Sequence, residues 1–311
     1  MTPDAPIDFS AIRVLDGGIA TELERRGFDL SGPLWSAHVL DSAPEAIVAV
    51  HLDYLRAGAD CIATASYQVS AHGYRELGRD PADADRALRL SLDLARQASA
   101  QYAAENSRPV WIAASLGPWG AALHNGAEYH GRYAIGASEL TEFHAERLAV
   151  LAAAGAASIA FETIPSLDEA QAILSALAGF PLLTAWVSFT CRDAAHVAHG
   201  EPLRVCAELL AGSPQIAAVG INCTAPALIA KLVAEAQSGA GGRKAVIVYP
   251  NSGEIWDATT RSWRGLADAE SFGTLARGWF AAGVQAVGGC CRTTPVHVAE
   301  VARIAWEGRA A

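Results

Sequence analysis

Short apolar runs alternate along the chain with longer segments whose apolar residues recur at helical spacing. The runs are Arg13–Asp16, Cys61–Tyr67, Val110–Leu116, Ser158–Thr163, Leu182–Phe189, Ala217–Cys223, Ala245–Tyr249 and Gln285–Gly289. Most are apolar at successive positions and bounded by turn residues, which suits strands buried on both faces of a parallel sheet. Between them lie helix-period segments over Pro44–Ala57, Asp83–Glu105, Ser138–Ala154, Leu167–Leu177, Pro202–Ala211, Pro226–Gln237, Asp268–Ala282 and Pro295–Trp306. Strand and helix in strict alternation predict an α/β chain, a (β/α)8 barrel of the TIM type. An open doubly wound sheet fits the same pattern.

One junction recurs: Ala57-Gly58-Ala59-Asp60, Ala154-Gly155-Ala156-Ala157 and Ala282-Gly283-Val284-Gln285 each stand between a helix end and a strand. A glycine there suits the left-handed residue that ends a helix. The repeat supports the alternation rather than closure into a barrel. No low-complexity linker interrupts the pattern, which predicts a single domain over residues 1–311.

The connections that follow strands are longer than those that precede them, notably Gly17–Ala43, Gly117–Ala137, Thr190–Glu201 and Pro250–Ala267. In a barrel these share the C-terminal face, where such folds carry their chemistry. Polar residues gather at the same strand ends: Asp16, Thr64, Ser66, Tyr67, Ser115, Glu162, Asn222 and Asn251, followed by cysteines. Core packing alone does not account for that placement.

The cysteines carry the sharpest chemistry. Gly288-Gly289-Cys290-Cys291 reads as a strand end and a tight turn, and Cys223 ends a strand two positions earlier in the alternation. Strands separated by one neighbour are ~10 Å apart at ~4.8 Å per strand, a gap their end loops can close. Three thiolates suit zinc, with the fourth tetrahedral position left for a substrate thiol. Cys61, inside a strand, and Cys206, in a helix, read as small buried hydrophobes. Cys191 is the alternative fourth ligand, which would make the site structural. His196 and His199 form no metal pattern with an acid.

Bulk properties narrow the partners. A formal charge of −10 and a pI near 5.4 argue against nucleic acid and anionic membranes. No apolar run reaches the ~20 residues of a membrane span. With no visible export signal, six cysteines in 311 residues read as reduced thiols in a cytoplasmic protein. The implied partners are small molecules.

Asp16-Gly17-Gly18-Ile19-Ala20-Thr21 predicts a strand end, a glycine turn and a short helix, with Thr21 and Glu24 at capping-box spacing. Free amides at such a turn can hold a carboxylate. Asp16 and Glu162 at one mouth can grip an α-ammonium, which together makes a site for a free amino acid. Asp16 can also serve only to cap its own turn.

Asp16-Gly17-Gly18, Glu162-Thr163, Asn222-Cys223 and Gly288-Gly289-Cys290-Cys291 together resemble the zinc-dependent homocysteine S-methyltransferases, over nearly the whole chain. Leu34-Trp35-Ser36-Ala37, Thr64-Ala65-Ser66-Tyr67-Gln68, Ser115-Leu116-Gly117-Pro118 and Tyr249-Pro250-Asn251-Ser252-Gly253-Glu254 are similar to the branch using S-methylmethionine or S-adenosylmethionine. Betaine-using relatives share the cysteines and less of the rest. The resemblance implies zinc on Cys223, Cys290 and Cys291, and homocysteine contacts at Asp16, Glu162 and the turn near Gly17. For the donor, aromatic faces attract a sulfonium cation. Trp35, Tyr67, Trp119, Tyr129, Tyr133, Trp256 and Trp263 lie in or beside the long loops, and Asn251 and Glu254 are candidates for the donor's polar end. Competing readings are a zinc hydrolase, disfavoured because three thiolates weaken the Lewis acid, and a non-enzymatic structural zinc or thiol-redox protein.

Overall fold

The computed structural model describes residues 5–32, 37–257, 262–264 and 268–307. In chain order the elements are α1 (Ile19–Arg25), α2 (His38–Ser42), α3 (Pro44–Ala57), β1 (Cys61–Ala63), α4 (Ala71–Glu76), α5 (Pro81–Glu105), β2 (Trp111–Leu116) and α6 (Trp119–Ala122). There follow α7 (Ala137–Ala153), β3 (Ser158–Ile164), α8 (Leu167–Leu177), β4 (Thr184–Phe189), α9 (Leu203–Ala211), β5 (Ile216–Asn222) and α10 (Pro226–Ala240). The last are β6 (Ala245–Tyr249), β7 (Ile255–Asp257), β8 (Ser262–Arg264), α11 (Ala269–Ala281), β9 (Ala286–Val287) and α12 (Pro295–Glu307).

Seven strands form one sheet in the order β1-β2-β3-β4-β5-β6-β9, every pair parallel. The expected first strand, Arg13–Asp16, is not a full strand but spans the two edges. Val14 pairs with Val287 of β9 and Leu15 with Cys61 of β1, both in parallel. The Leu15 amide donates to Val287 O at 2.9 Å and the Asp16 amide to Cys61 O at 3.1 Å. The hairpin β7–β8 lies in the connection after β6 and is antiparallel.

Period two within each strand sorts the core into two layers. Cys61, Trp111, Ala113, Ala160, Trp186, Ala218, Ile247 and Ala286 pack inside the curved sheet, with Ile7, Phe9 and Ile12 added from the N-terminal segment. Two tryptophans among alanines fill that space by pairing large with small. The intervening positions, such as Ile62, Phe161, Val187, Ile221 and Val248, meet the helices. Cys61 and Cys206 are buried members of these layers, as read from the sequence. Helix ends also follow from local chemistry: Pro opens α3, α5, α10 and α12, and Gly58 ends α3 in the left-handed region at φ 112°. No described helix is long and apolar enough to cross a membrane.

Candidate active site

The C-terminal ends of the strands converge on a pocket whose floor is sulfur. Cys223 follows β5, and Cys290 and Cys291 follow β9. Cys223 Sγ lies 2.8 Å from Cys290 Sγ and 3.5 Å from Cys291 Sγ, and all three sulfurs fall within 4.8 Å of one another. Zn–S bonds of ~2.3 Å on a tetrahedron place sulfurs ~3.8 Å apart, so the shortest contact has to open by only about 1 Å. Three thiolates this close also repel strongly unless a cation sits among them. The donor set therefore fits zinc. Cys191, considered as a fourth ligand, is not in the cluster; its amide donates to Thr224 Oγ1.

Backbone packing brings these thiols together. An added Cβ on Gly289 would meet Thr293 Oγ1 at 2.2 Å, so only glycine lets the turn fold onto itself. The Cys290 amide donates to Pro250 O at 2.8 Å, and the Ser252 amide to Cys291 O at 3.1 Å. Cys223 adopts φ 47° and Thr163 φ 61°, both left-handed without being glycine. Such strain persists only where the surroundings enforce it. Here Asn222 does so: its Oδ1 accepts from the Thr163 amide at 2.8 Å, and its Nδ2 donates to Thr163 Oγ1 at 2.9 Å. The same Nδ2 lies 4.0 Å from Cys290 Sγ. Asn222, one of the polar residues read at the strand ends, thus braces two of them.

Two acids flank the sulfurs. Asp16 Oδ2 accepts from the Ala63 amide at 2.8 Å, and Glu162 Oε2 accepts from the Ser115 hydroxyl at 2.5 Å. Glu162 sits where the β3–β4 register slips between Phe161 and Ile164, a bulge that re-aims its side chain. Burial raises the Asp16 carboxyl well above its usual range, with the nearby Glu162 charge adding to it. Burial likewise pushes Glu162 up to about 7, against the Ser115 hydrogen bond.

Gly17, Gly18, Thr21 and Tyr67 also line the pocket. The Gly18 amide is committed to Thr293 Oγ1 at 3.2 Å. Thr21 does not cap a helix as its spacing with Glu24 predicted. The cap is Gly18, and α1 has already begun at Ile19; Thr21 instead accepts from the Arg292 amide at 2.9 Å, tying the turn to the cysteines.

Other expected residues lie apart from this pocket lining. Ser66 is fully buried and donates to Ser115 O at 2.8 Å. Glu254 pairs with Arg292 Nε at 2.9 Å, and the Asn251 amide donates to Thr224 O at 3.1 Å. Trp35 and the side chains of Trp256 and Trp263 lie outside the described residues. Of the loop aromatics, Tyr67 and Tyr129 reach the pocket, and Tyr129 OH is 3.8 Å from Cys223 Sγ. Trp119 and Tyr133 do not line it: the Trp119 ring packs against His72 and Phe143, and the Tyr133 hydroxyl goes to Glu169. The fully buried Glu169 accepts from the Trp119 amide at 2.6 Å and from the Tyr133 hydroxyl, gripping both ends of the connection after β2. His144 Nε2 lies 3.1 Å from Glu169 Oε1, and His144 Nδ1 is 2.8 Å from Arg147, which donates to Gly117 O at 2.9 Å. Arg147 can only donate, so His144 is neutral with its proton on Nε2; burial holds its pKa down at about 4.

Gln68, His124 and Glu128 also line the pocket. Gln68 stands in the Thr64–Gln68 segment after β1 that the sequence had marked, whereas nothing in the sequence pattern singles out His124 and Glu128, in the long connection after β2 without hydrophobic period.

A family model described as homocysteine S-methyltransferase matches residues 13–305. The chain is 46% identical over 306 residues to homocysteine S-methyltransferase YbgG of Bacillus subtilis (strain 168), covering 96% of each. It is similar to the metallated form of the homocysteine methyltransferase MmuM of Escherichia coli, with TM-score 0.80 and 41% identity over 94% of this chain and 96% of that one. The oxidized form of MmuM matches with TM-score 0.84 and 40% identity over 96% of each chain. Matched from Arg13 to Ala305 and this close to its relatives throughout, the chain belongs to the homocysteine S-methyltransferase family.

Proposed function

We propose that the chain moves a methyl group from a sulfonium amino acid, S-methylmethionine or S-adenosylmethionine, to the thiol of homocysteine, giving methionine. The observation that carries this reading is the convergence of Cys223, Cys290 and Cys291 beside the buried Asp16 and half-buried Glu162 carboxylates in one pocket. Cys223, Cys290 and Cys291 hold zinc in this reading. Zinc there would act as a soft Lewis acid that favours the thiolate form of a thiol whose free pKa is ~8.5.

The chain's own groups do the rest. Asp16 and Glu162 take the α-ammonium of homocysteine, and that cation restores the charged form of acids that burial alone would protonate. Ala63 N–H and the Ser115 hydroxyl each fix one carboxylate oxygen, so the acids are aimed before substrate arrives. The turn through Gly17 and Gly18 shapes the wall against which the substrate's carboxylate end packs. Asn222 keeps Cys223 and Cys290 in register. In the transfer, homocysteine reacts as the thiolate, its S–H proton already released to solvent, and a sulfur lone pair forms the new S–CH3 bond. The donor's C–S⁺ bond breaks, and its electron pair returns to the donor sulfur, leaving two neutral thioethers. No general base has to act in that step.

We further infer that residues 13–16 complete an eight-stranded closed barrel, supported by their bridges to β1 and β9. The 1–311 chain then acts as one catalytic unit, and a cytoplasmic location suits its reduced thiols. The test is zinc-loaded protein with homocysteine and, in parallel, S-methylmethionine, S-adenosylmethionine or betaine. Methionine formed with a sulfonium donor supports the reading; turnover with betaine alone, or full turnover after zinc is stripped, refutes it.

A further inference from the structure

Asp16 and Glu162 are two carboxylates for one ammonium, that of the acceptor. A third carboxylate, Glu128, lines the same pocket. It is 9% exposed, and its Oε2 has no hydrogen-bond partner among the described residues. None of the described residues lining the pocket is a lysine or an arginine. Gln68 Oε1 and both ring nitrogens of His124, on the same lining, also have no hydrogen-bond partner among the described residues. A buried carboxylate without a cation is costly, and burial accordingly pushes its pKa up to about 7.

Local packing nevertheless seats it there. A Cβ on Gly120 would fall 2.5 Å from Glu128 N and 2.7 Å from Ala127 C, so the 127–129 turn rests directly on the start of its own loop. The next residue, Tyr129, reaches within 3.8 Å of Cys223 Sγ. Glu128 is therefore one residue from a side chain that touches the sulfur cluster where the methyl group must be delivered.

The second substrate brings a second cation with N–H groups. Its sulfonium offers only C–H, whereas its α-ammonium offers three strong donors, which is what an unpartnered carboxylate acceptor takes. We propose that Glu128 pairs with the α-ammonium of the methyl donor and so selects amino-acid sulfoniums over donors that lack an amino group. This rests on the function proposed above and assigns to it a residue for donor choice.

The test is steady-state kinetics on wild type, Glu128→Gln and Glu128→Asp, using whichever sulfonium amino acid the wild type accepts. An ammonium-free analogue, 3-(dimethylsulfonio)propionate, is assayed as a competitor of that donor. Glu128→Gln should raise the donor KM about 10- to 100-fold, the loss of one charge-assisted hydrogen bond. Glu128→Asp should recover part of it, with zinc content and homocysteine KM within about twofold of wild type. The analogue's inhibition constant should stay the same in all three proteins. An unchanged donor KM in Glu128→Gln overturns the proposal, as does an equal loss for donor and analogue, which would mean that Glu128 answers the sulfonium or merely holds the loop. A wild type inactive with every sulfonium amino acid would instead refute the proposed function itself.

Discussion

Replacing Glu162 with glutamine should move stability and activity in opposite directions. Burial lifts the carboxyl from 4.5 to about 7 in the folded protein. Between those values the folded state holds a proton that the unfolded chain has released, so stability falls as pH rises. At ~1.4 kcal/mol per pKa unit, the cost is about 1 kcal/mol at pH 5 and about 3 kcal/mol at pH 8, before solvent screening reduces it. Glutamine keeps an acceptor for the Ser115 hydroxyl and cannot ionise. Glu162→Gln should therefore be more stable than wild type at pH 8 by up to about 3 kcal/mol, and by about 1 kcal/mol at pH 5. Denaturant midpoints at the two pH values measure this. The same variant loses the partner of the homocysteine ammonium, worth ~1.5–3 kcal/mol, so its homocysteine KM should rise about 10- to 150-fold. In wild type, kcat/KM for homocysteine should climb through pH 7 as Glu162 ionises, and that inflection should be missing from the variant. A variant no more stable at pH 8, with unchanged homocysteine KM, would refute both the burial argument and the role of Glu162 as the ammonium acceptor.

Cys291→Ser should lower zinc from one to well under one per chain and cut turnover more than about 100-fold; chelator treatment of wild type should do the same, with circular dichroism unchanged because the sheet does not depend on the metal. Asn222→Ala strands the Thr163 amide without an acceptor, so it should cost about 2–4 kcal/mol in denaturant unfolding and weaken zinc about 10- to 100-fold in a chelator competition. His51 is fully buried, neither ring nitrogen has a hydrogen-bond partner among the described residues, and burial lowers its pKa to about 4. Its neutral form is secure above pH 6.5, and stability is lost as pH falls from there toward 4, because the unfolded chain takes up the proton first. His51→Leu should therefore gain about 2 kcal/mol more at pH 5 than at pH 7, read from urea midpoints.

The sheet was largely legible in the sequence because buried strands are continuous apolar runs, and β6 and α8 end where the pattern placed them. Arg13–Asp16 was harder: four residues suffice to bridge two edges but not to form a ladder. The sulfur cluster was legible because adjacent cysteines at a strand end are rare outside metal chemistry. Ser66 was misplaced for a reason that strand-end position cannot reveal: its hydroxyl turns toward Ser115 O rather than into the cavity. The roles of Trp119 and Tyr133 were hidden because they answer to Glu169, on a helix about fifty and thirty-six residues away. Glu128 was invisible because its placement depends on how closely a loop backbone approaches Gly120.

Glu169 lies on an outer helix, yet it grips both ends of the connection after β2. The wall bearing Glu128 and Tyr129 is thereby built as masonry, set when the protein folds. A donor then meets a surface already in its final shape, so little ordering entropy is left to subtract from its affinity, and discrimination between methyl sources becomes a matter of fixed contour and charge.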